Sequence, residues 1–184
     1  MASPKSRWIL PGAVVAGMAA ALIHLGWEYS HGGIQRHHLL NDASLPAISN
    51  AWGLLVLPLL GVLAGWEVTR RTRTHARAWW PAVAGFVGAL AAGIALSVAF
   101  VTHGEPAATQ VMLGVLVASV LFPAYRAEYL FGFVIGMTPV FGSILPALVA
   151  CVPMLISTVS RLVLWRLVQY TLRRSTAAVA VRRG

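Results

Sequence analysis

Residues 129–160 of this sequence read YLFGFVIGMTPVFGSILPALVACVPMLISTVS, and these 32 residues include no Asp, Glu, Lys or Arg. As a single α-helix the stretch would be about 48 Å long, whereas the hydrocarbon core of a bilayer is only about 30 Å thick. Gly142 and Pro146 favour a bend near the middle. We therefore expect two helices, one from Tyr129 to about Phe141 and one from about Leu145 to Trp165.

Four further runs without charge, which lie at residues 8–27, 43–66, 78–104 and 106–125, have 20 to 27 residues each. Each is long enough to cross a bilayer as a helix, which takes about 20 residues. Hydrophobic residues make up 58% of the 184-residue chain and charged residues 10%, whereas soluble domains average about a quarter charged. This composition excludes a disordered chain and argues against a soluble enzyme. The expected fold class is all-α, a polytopic transmembrane helical bundle.

Six spans result from dividing the longest run in two. Besides the two helices above, they are Trp8–Ser30, Ile48–Trp66, Trp79–Thr102 and Ala108–Tyr125. Two alternatives stay open: four spans plus a re-entrant pair formed by the last run, and a cleaved signal peptide at the N-terminus. We expect residues 1–172 to form a single transmembrane domain and residues 173–184 a basic, disordered cytoplasmic tail.

The basic residues predict the orientation of this bundle. With six spans and a cytoplasmic N-terminus, 13 of the 14 Lys and Arg residues lie on the cytoplasmic side, and only Arg36 lies outside. This distribution is typical of a plasma membrane protein with both termini in the cytoplasm, and it fits a bacterial inner membrane. It also accounts for the net charge of +9 through contacts with anionic lipids, so no nucleic-acid partner is expected.

Small residues recur at four-residue spacing in three of the predicted helices. They are Gly61 and Gly65, then Ala84, Gly88 and Ala92, then Gly132 and Gly136. This spacing lets transmembrane helices approach each other closely. It predicts a compact bundle, with the contacts either inside one chain or between the copies of a homo-oligomer.

The first helix carries the most informative polar residues. At 100° per residue, His24, Glu28 and His31 fall within about 40° of one another on one helix face. His24 lies about 9 Å below Ser30 along the helix, within the apolar zone. An ionisable residue inside a membrane marks a functional site by default, since its charged form is costly there.

Imidazole and carboxylate groups suit zinc or iron, and a catalytic zinc has three protein ligands and one open position. We predict His24, His31 and His103 as metal ligands, with Glu28 as a fourth ligand or the general base. The loop after the first helix would support this site with His37, His38, Asp42 and Asn50. The corresponding function is a metal-dependent hydrolase or oxidase that acts on a lipid-like or other apolar substrate near the outer membrane face.

Three other functions remain open, so the sequence leaves undecided whether the protein is an enzyme. The first is a proton-coupled transporter or channel for a small solute, in which Arg126 and Glu128 form an inner polar pair. The second is a haem protein with His24 and His103 as axial ligands. The third is a membrane assembly subunit without chemistry of its own. Asp42 and Asn50 have a simpler interpretation as capping residues before the second helix.

Overall fold

The computed structural model describes residues 6–38 and 47–181. The described chain forms six helices: α1 (Ser6–Ser30), α2 (Gly53–Thr74), α3 (Trp79–His103), α4 (Glu105–Leu121), α5 (Ala127–Phe141) and α6 (Ile144–Val181). Two short antiparallel strands, β1 (Arg36–His38) and β2 (Ala47–Ser49), lie between α1 and α2. A 3₁₀ turn, Asn50–Trp52, leads from β2 into α2. The predicted all-helical fold class is confirmed.

Four of the helices are long and apolar enough to cross a membrane: α1, α2, α3 and the first part of α6. With 17 residues, α4 is at the short limit for a spanning helix, and α5 with 15 residues is below it. The outward surface of the bundle is apolar along its length. Ile23 of α1, Val101 of α3, Val117 of α4 and Leu155 of α6 are 73%, 68%, 66% and 62% exposed. Such a continuous apolar exterior is typical of a membrane protein.

Two helices are longer than the uncharged runs predicted. The second was expected to end near Trp66, but α2 continues to Thr74 and so includes Arg71. Likewise α6 continues past Trp165 to Val181, through much of the segment that we expected to be a disordered tail. Arginine is a good helix former, and its long side chain reaches the membrane surface from within a helix. The first charged residue therefore marks the edge of the apolar zone without ending the helix.

Glycine contacts hold the helices together in two tight pairs, α1 with α2 and α3 with α5. A Cβ atom on Gly61 would lie 2.5 Å from the carbonyl oxygen of Ala13, and one on Gly136 would lie 2.5 Å from that of Leu90. These distances leave no room for any side chain. The predicted close contacts of the second and fifth helices are thereby confirmed within a single chain.

The prediction for the third helix was wrong in its register. A Cβ atom on Gly88 would meet no atom within 4 Å, so this glycine faces open space. The glycines of α3 that contact α5 are Gly85, against the ring of Tyr129, and Gly93, against the backbone of Phe133. Several small residues crowd this helix, and only the position of α5 decides which of them form the interface.

The shortest helix, α5, lies at the centre of the bundle, where it contacts α1, α2, α3 and α6. Its side chains Phe131, Val134 and Met137 are at most 3% exposed. The helices α2 and α5 run in opposite directions, so the start of α2 lies beside the end of α5 at one end of the bundle, and the end of α2 lies beside the start of α5 at the other. We call these two ends the Glu28 end, which holds Glu28, Asn50 and Gly142, and the Glu128 end, which holds Glu128 and Arg71.

Candidate functional site

A buried polar cluster lies at the Glu28 end, where His24 and Glu28 of α1 meet Asn50. Only 9%, 3% and 5% of these three residues is exposed. His24 Nε2 lies 3.3 Å from Glu28 Oε1 and 3.5 Å from Asn50 Nδ2. Asn50 Nδ2 also donates to Glu28 Oε1, and the backbone N–H of Gln35 donates to Glu28 Oε2 at 3.2 Å. Glu28 thus accepts a hydrogen bond at each oxygen, as buried carboxylates usually do.

Two segments distant in sequence build this cluster. Gly17, Ala21, His24 and Glu28 recur at intervals of four, three and four residues, so they form the buried face of α1. Asn50 comes from the turn before α2, and its backbone N–H donates to the carbonyl of Gln35 at 3.0 Å. Its side-chain oxygen is packed against Gly142, which follows α5 and has φ +69°. Asn50 therefore joins α1, the β-strand segment and the end of α5.

Two of the predicted metal ligands lie elsewhere. His31 is exposed and stacks on Trp27 with ring centroids 4.5 Å apart, while its Nδ1 lies 2.8 Å from the Trp27 carbonyl oxygen. His103 is also exposed, and its Nδ1 lies 2.6 Å from the hydroxyl of Thr102. The predicted alignment of His31 with His24 failed because α1 ends at Ser30. Beyond the end of a helix, the rotation of 100° per residue no longer holds.

The side chains that the structure describes do not form the predicted metal centre. No three of these His, Cys, Asp or Glu side chains are placed to hold a metal ion. His24 and Glu28 meet as predicted, but neither His31 nor His103 joins them. The side chains of His37 and His38 and the whole of Asp42 lie outside the described residues.

A second buried polar cluster lies at the Glu128 end. Glu128, in the first turn of α5, is 3% exposed, and its Oε2 accepts a hydrogen bond from Nη2 of Arg71 on α2. The same Nη2 lies 3.6 Å from Oε1 of Glu67, one helical turn earlier on α2. Glu67 Oε2 in turn accepts the backbone N–H of Ala127 at 3.0 Å. A carboxylate at this position stabilises the positive end of the α5 dipole.

The predicted partner of Glu128 was wrong. Within the described residues, Glu128 forms its ion pair with Arg71 and not with Arg126. Arg126 precedes α5 with extended backbone angles, φ −79° and ψ 143°. Residues two positions apart at a helix start point in different directions, so Glu128 turns toward α2 and away from Arg126.

Arg71 and Glu67 are not among the predicted site residues, because the basic segment was expected to be a cytoplasmic loop. A signal for them was present: Glu67 and Arg71 stand four residues apart, which is the spacing of an ion pair on one helix face. The spacing indicates that the helix continues through the arginines. It contains no indication that Glu128, 57 residues later than Arg71, completes the cluster.

Replacing Asn50 by alanine should destabilise the Glu28 end, because Glu28 would lose a buried donor and Gly142 its neighbour. Removal of a hydrogen bond to a charged group costs about 1.5–3 kcal/mol. Thermal unfolding in detergent measures the loss. The control is His31→Ala, at an exposed position, with an expected change within about 0.5 kcal/mol. Equal stability of the two variants would contradict the assigned contact.

No protein-family model matches this chain, and neither a curated protein nor a solved structure is significantly similar to it. The function is therefore inferred from the two buried clusters and from the helices that connect them.

Proposed function

We propose that this protein is a proton-coupled transporter of a small solute, integral to the inner membrane of a bacterium. The observation that supports this most directly is the buried pair of His24 and Glu28, which lies inside a bundle with an apolar exterior. Ionisable residues that face the interior of a membrane bundle are characteristic of proton paths. By the distribution of basic residues, the Glu28 end is the outer end.

The chemistry of the Glu28 end suits reversible proton binding. An imidazole nitrogen 3.3 Å from a carboxylate oxygen is close enough to exchange a proton with it. Asn50 and the N–H of Gln35 hold the carboxylate in place during this exchange. Burial separates the pair from bulk water, so the proton has to enter by a defined route.

The second cluster supports coupling across the membrane. Asn50 contacts both Glu28 and Gly142 at one end of α5, and Glu128 at the other end pairs with Arg71. A change in the charge of Glu28 therefore acts on a residue that touches α5. In the proposed cycle, proton binding at Glu28 shifts α5 and alters the Arg71–Glu128 pair, where the solute path meets the cytoplasm.

We expect His24→Ala and Glu28→Gln to abolish proton-coupled flux. Proteoliposomes with a trapped pH-sensitive dye would be given an amine, a carboxylate, an amino acid and a neutral sugar in turn. For the wild type, at least one solute should change the internal pH. Each variant should lower that rate by at least about tenfold, as expected when a group that transfers protons is removed.

The matched control for this assay is His103→Ala, at an exposed histidine of the same end that contacts Thr102. It should retain the wild-type rate. Wild-type flux in the folded His24→Ala variant would refute the proposal. The proposal would also be refuted if none of the four solutes caused proton movement in liposomes with the wild-type protein.

A metal-dependent hydrolase or oxidase is the second candidate, and one observation favours it. The strand β1 carries His37 and His38 directly after Arg36, and the neighbouring Gln35 donates to Glu28 through its backbone. A metal bound by His24 and Glu28 would need at least one further protein ligand.

The metal candidate predicts a stoichiometric ion. Protein purified without chelator should contain about one equivalent of zinc or iron, and His24→Ala should lose it. Elemental analysis before and after reconstitution with each metal measures this content. Less than about a tenth of an equivalent in both states would eliminate the candidate.

A further inference from the structure

A cavity of about 560 Å³ lies at the Glu128 end, between α1, α2, α3 and α5. Its volume is within the range of about 300–1,000 Å³ that is typical of small-molecule sites. The wall is apolar and partly aromatic, with Trp8, Trp79, Phe86 and Phe131 among its residues. Glu128 is the one charged residue among the described residues that line it.

Glu128 lines this cavity and carries one unused acceptor. Its Oε2 accepts from Arg71, but its Oε1 is buried and has no hydrogen-bond partner among the described residues. Nε of Arg71 is buried and without a partner in the same part of the chain. A buried carboxylate oxygen that lacks a donor is costly, so an unfilled acceptor beside a cavity indicates a ligand that supplies charge or a donor there.

The charge balance of the cluster favours a cation. Two carboxylates, on Glu67 and Glu128, face one guanidinium, on Arg71. The N-terminus of α5 contributes about half a positive charge, so these groups together stay negative. Arg126 and Arg161 add positive charge near Tyr129, but neither lines the cavity. Among the nearby basic residues, Arg70 has its guanidinium carbon 5.1 Å from the ring centroid of Trp66, on the surface of α2.

We infer that this cavity is the binding site for an amphipathic organic cation, with the cationic group beside the Glu128 carboxylate and the apolar body among the aromatic residues. Tryptophan and phenylalanine rings attract organic cations through their faces, in addition to covering apolar surface. The inference deepens the proposed function by naming its substrate class, and it rests on that function only for the claim that the cation is transported. The main alternative occupant, a lipid acyl chain, would leave Oε1 of Glu128 without a donor.

A second cavity, of about 320 Å³, lies between α3, α4, α5 and α6 and differs from the first in the charge of its lining. Its lining residues include Gly88, Ser119 and Tyr129, and none of its described lining residues is charged. An apolar cavity without a charge selects poorly between a cation and an anion of equal shape. We therefore assign cation recognition to the cavity that reaches Glu128.

The test is equilibrium binding of tetraphenylphosphonium to the purified full-length protein in detergent. Tetraphenylborate, of nearly the same shape but negative, is the comparison probe. The wild type should bind the cation saturably and at least about tenfold more tightly than the anion, a difference of about 1.4 kcal/mol. Glu128→Gln should lose this preference, while Arg71 keeps Glu67 as its partner.

A steric variant tests the location independently of charge. Gly12 lines the cavity, and a Cβ atom there would meet no atom within 4 Å, so Gly12→Leu should fold and fill the cavity. We expect it to weaken cation binding by at least about tenfold, or about 1.4 kcal/mol. Gly26→Leu is the matched control, since Gly26 is on the same helix, also faces open space and is not among the lining residues. It should bind as the wild type does.

Three results would overturn the inference: equal affinity for both probes, unchanged cation binding in Gly12→Leu, or no saturable binding by the wild type. The third result would indicate that a lipid chain occupies the cavity. Binding in detergent is independent of flux. Cation binding without proton-coupled transport would therefore reject the proposed function and retain the site. Transport that depends on His24, without cation binding, would retain the proposed function and reject the cation site.

Discussion

Gly136→Leu should separate α3 from α5 and strongly destabilise the native fold. A Cβ atom at Gly136 would lie 2.5 Å from the carbonyl oxygen of Leu90 and 2.8 Å from the backbone nitrogen of Ile94. Because backbone atoms cannot rotate away as a side chain can, the two helices would have to move apart. Overpacking of a core costs about 1–3 kcal/mol and occasionally more, and contact with backbone belongs to the upper part of this range.

The measurement is the yield of monodisperse protein in detergent, followed by its thermal unfolding. Gly88→Leu is the matched control, because Gly88 lies on α3 near the same interface but has no atom within 4 Å of its Cβ position. It should purify and unfold much as the wild type does. Equal stability of Gly136→Leu and Gly88→Leu would show that α3 and α5 are not in close contact at Gly136.

The second large effect is expected from Arg71→Met at the Glu128 end. It leaves Glu128, 3% exposed, without its ion partner and next to a second carboxylate, Glu67. Removing one member of a buried ion pair costs about 3–5 kcal/mol. The lower part of this range applies here, because the side chain of Arg71 is itself 21% exposed.

Glu128→Gln should be much milder, since Arg71 then keeps Glu67 at 3.6 Å. The double variant Arg71→Met with Glu128→Gln should recover most of the stability lost by Arg71→Met alone, because no unpaired carboxylate is left in the deepest part of the cluster. Chemical unfolding in mixed micelles measures all three. Arg73→Met, at an exposed position of the same helix, controls for the loss of one arginine. Additive effects in the double variant would show that Arg71 and Glu128 do not interact.

Both large effects concern contacts of α5, the helix formed by the first part of the uncharged run at residues 129–160. The Gly-Ser turn at residues 142–143 separates α5 from α6, and Ser143 is 2% exposed with a hydroxyl that has no partner among the described residues. The glycine contacts, the Arg71–Glu128 pair and the Asn50–Gly142 contact all hold this one helix. A neighbouring helix also satisfies the start of α5, where Glu67 accepts the backbone N–H of Ala127.

Several features could be predicted from local pattern alone. The uncharged runs located the six helices, since a bilayer excludes charge over a fixed thickness. The spacing of four residues identified Gly61, Gly65, Gly132 and Gly136 as contact positions. The pair of His24 and Glu28 could be found because both residues lie on one helix and helical rotation determines which side chains meet.

The tertiary structure alone decided every pairing between residues on different helices. Asn50 was expected to be a supporting loop residue, but it lies in the buried cluster because the strands and the turn at Gly142 place it against Glu28. Arg71 meets Glu128 over 57 residues of chain, and no local periodicity encodes such a contact. Helical rotation relates side chains only along one continuous helix. It could not predict the position of His31, which lies beyond the end of α1. Contacts between different helices are determined by how the helices pack.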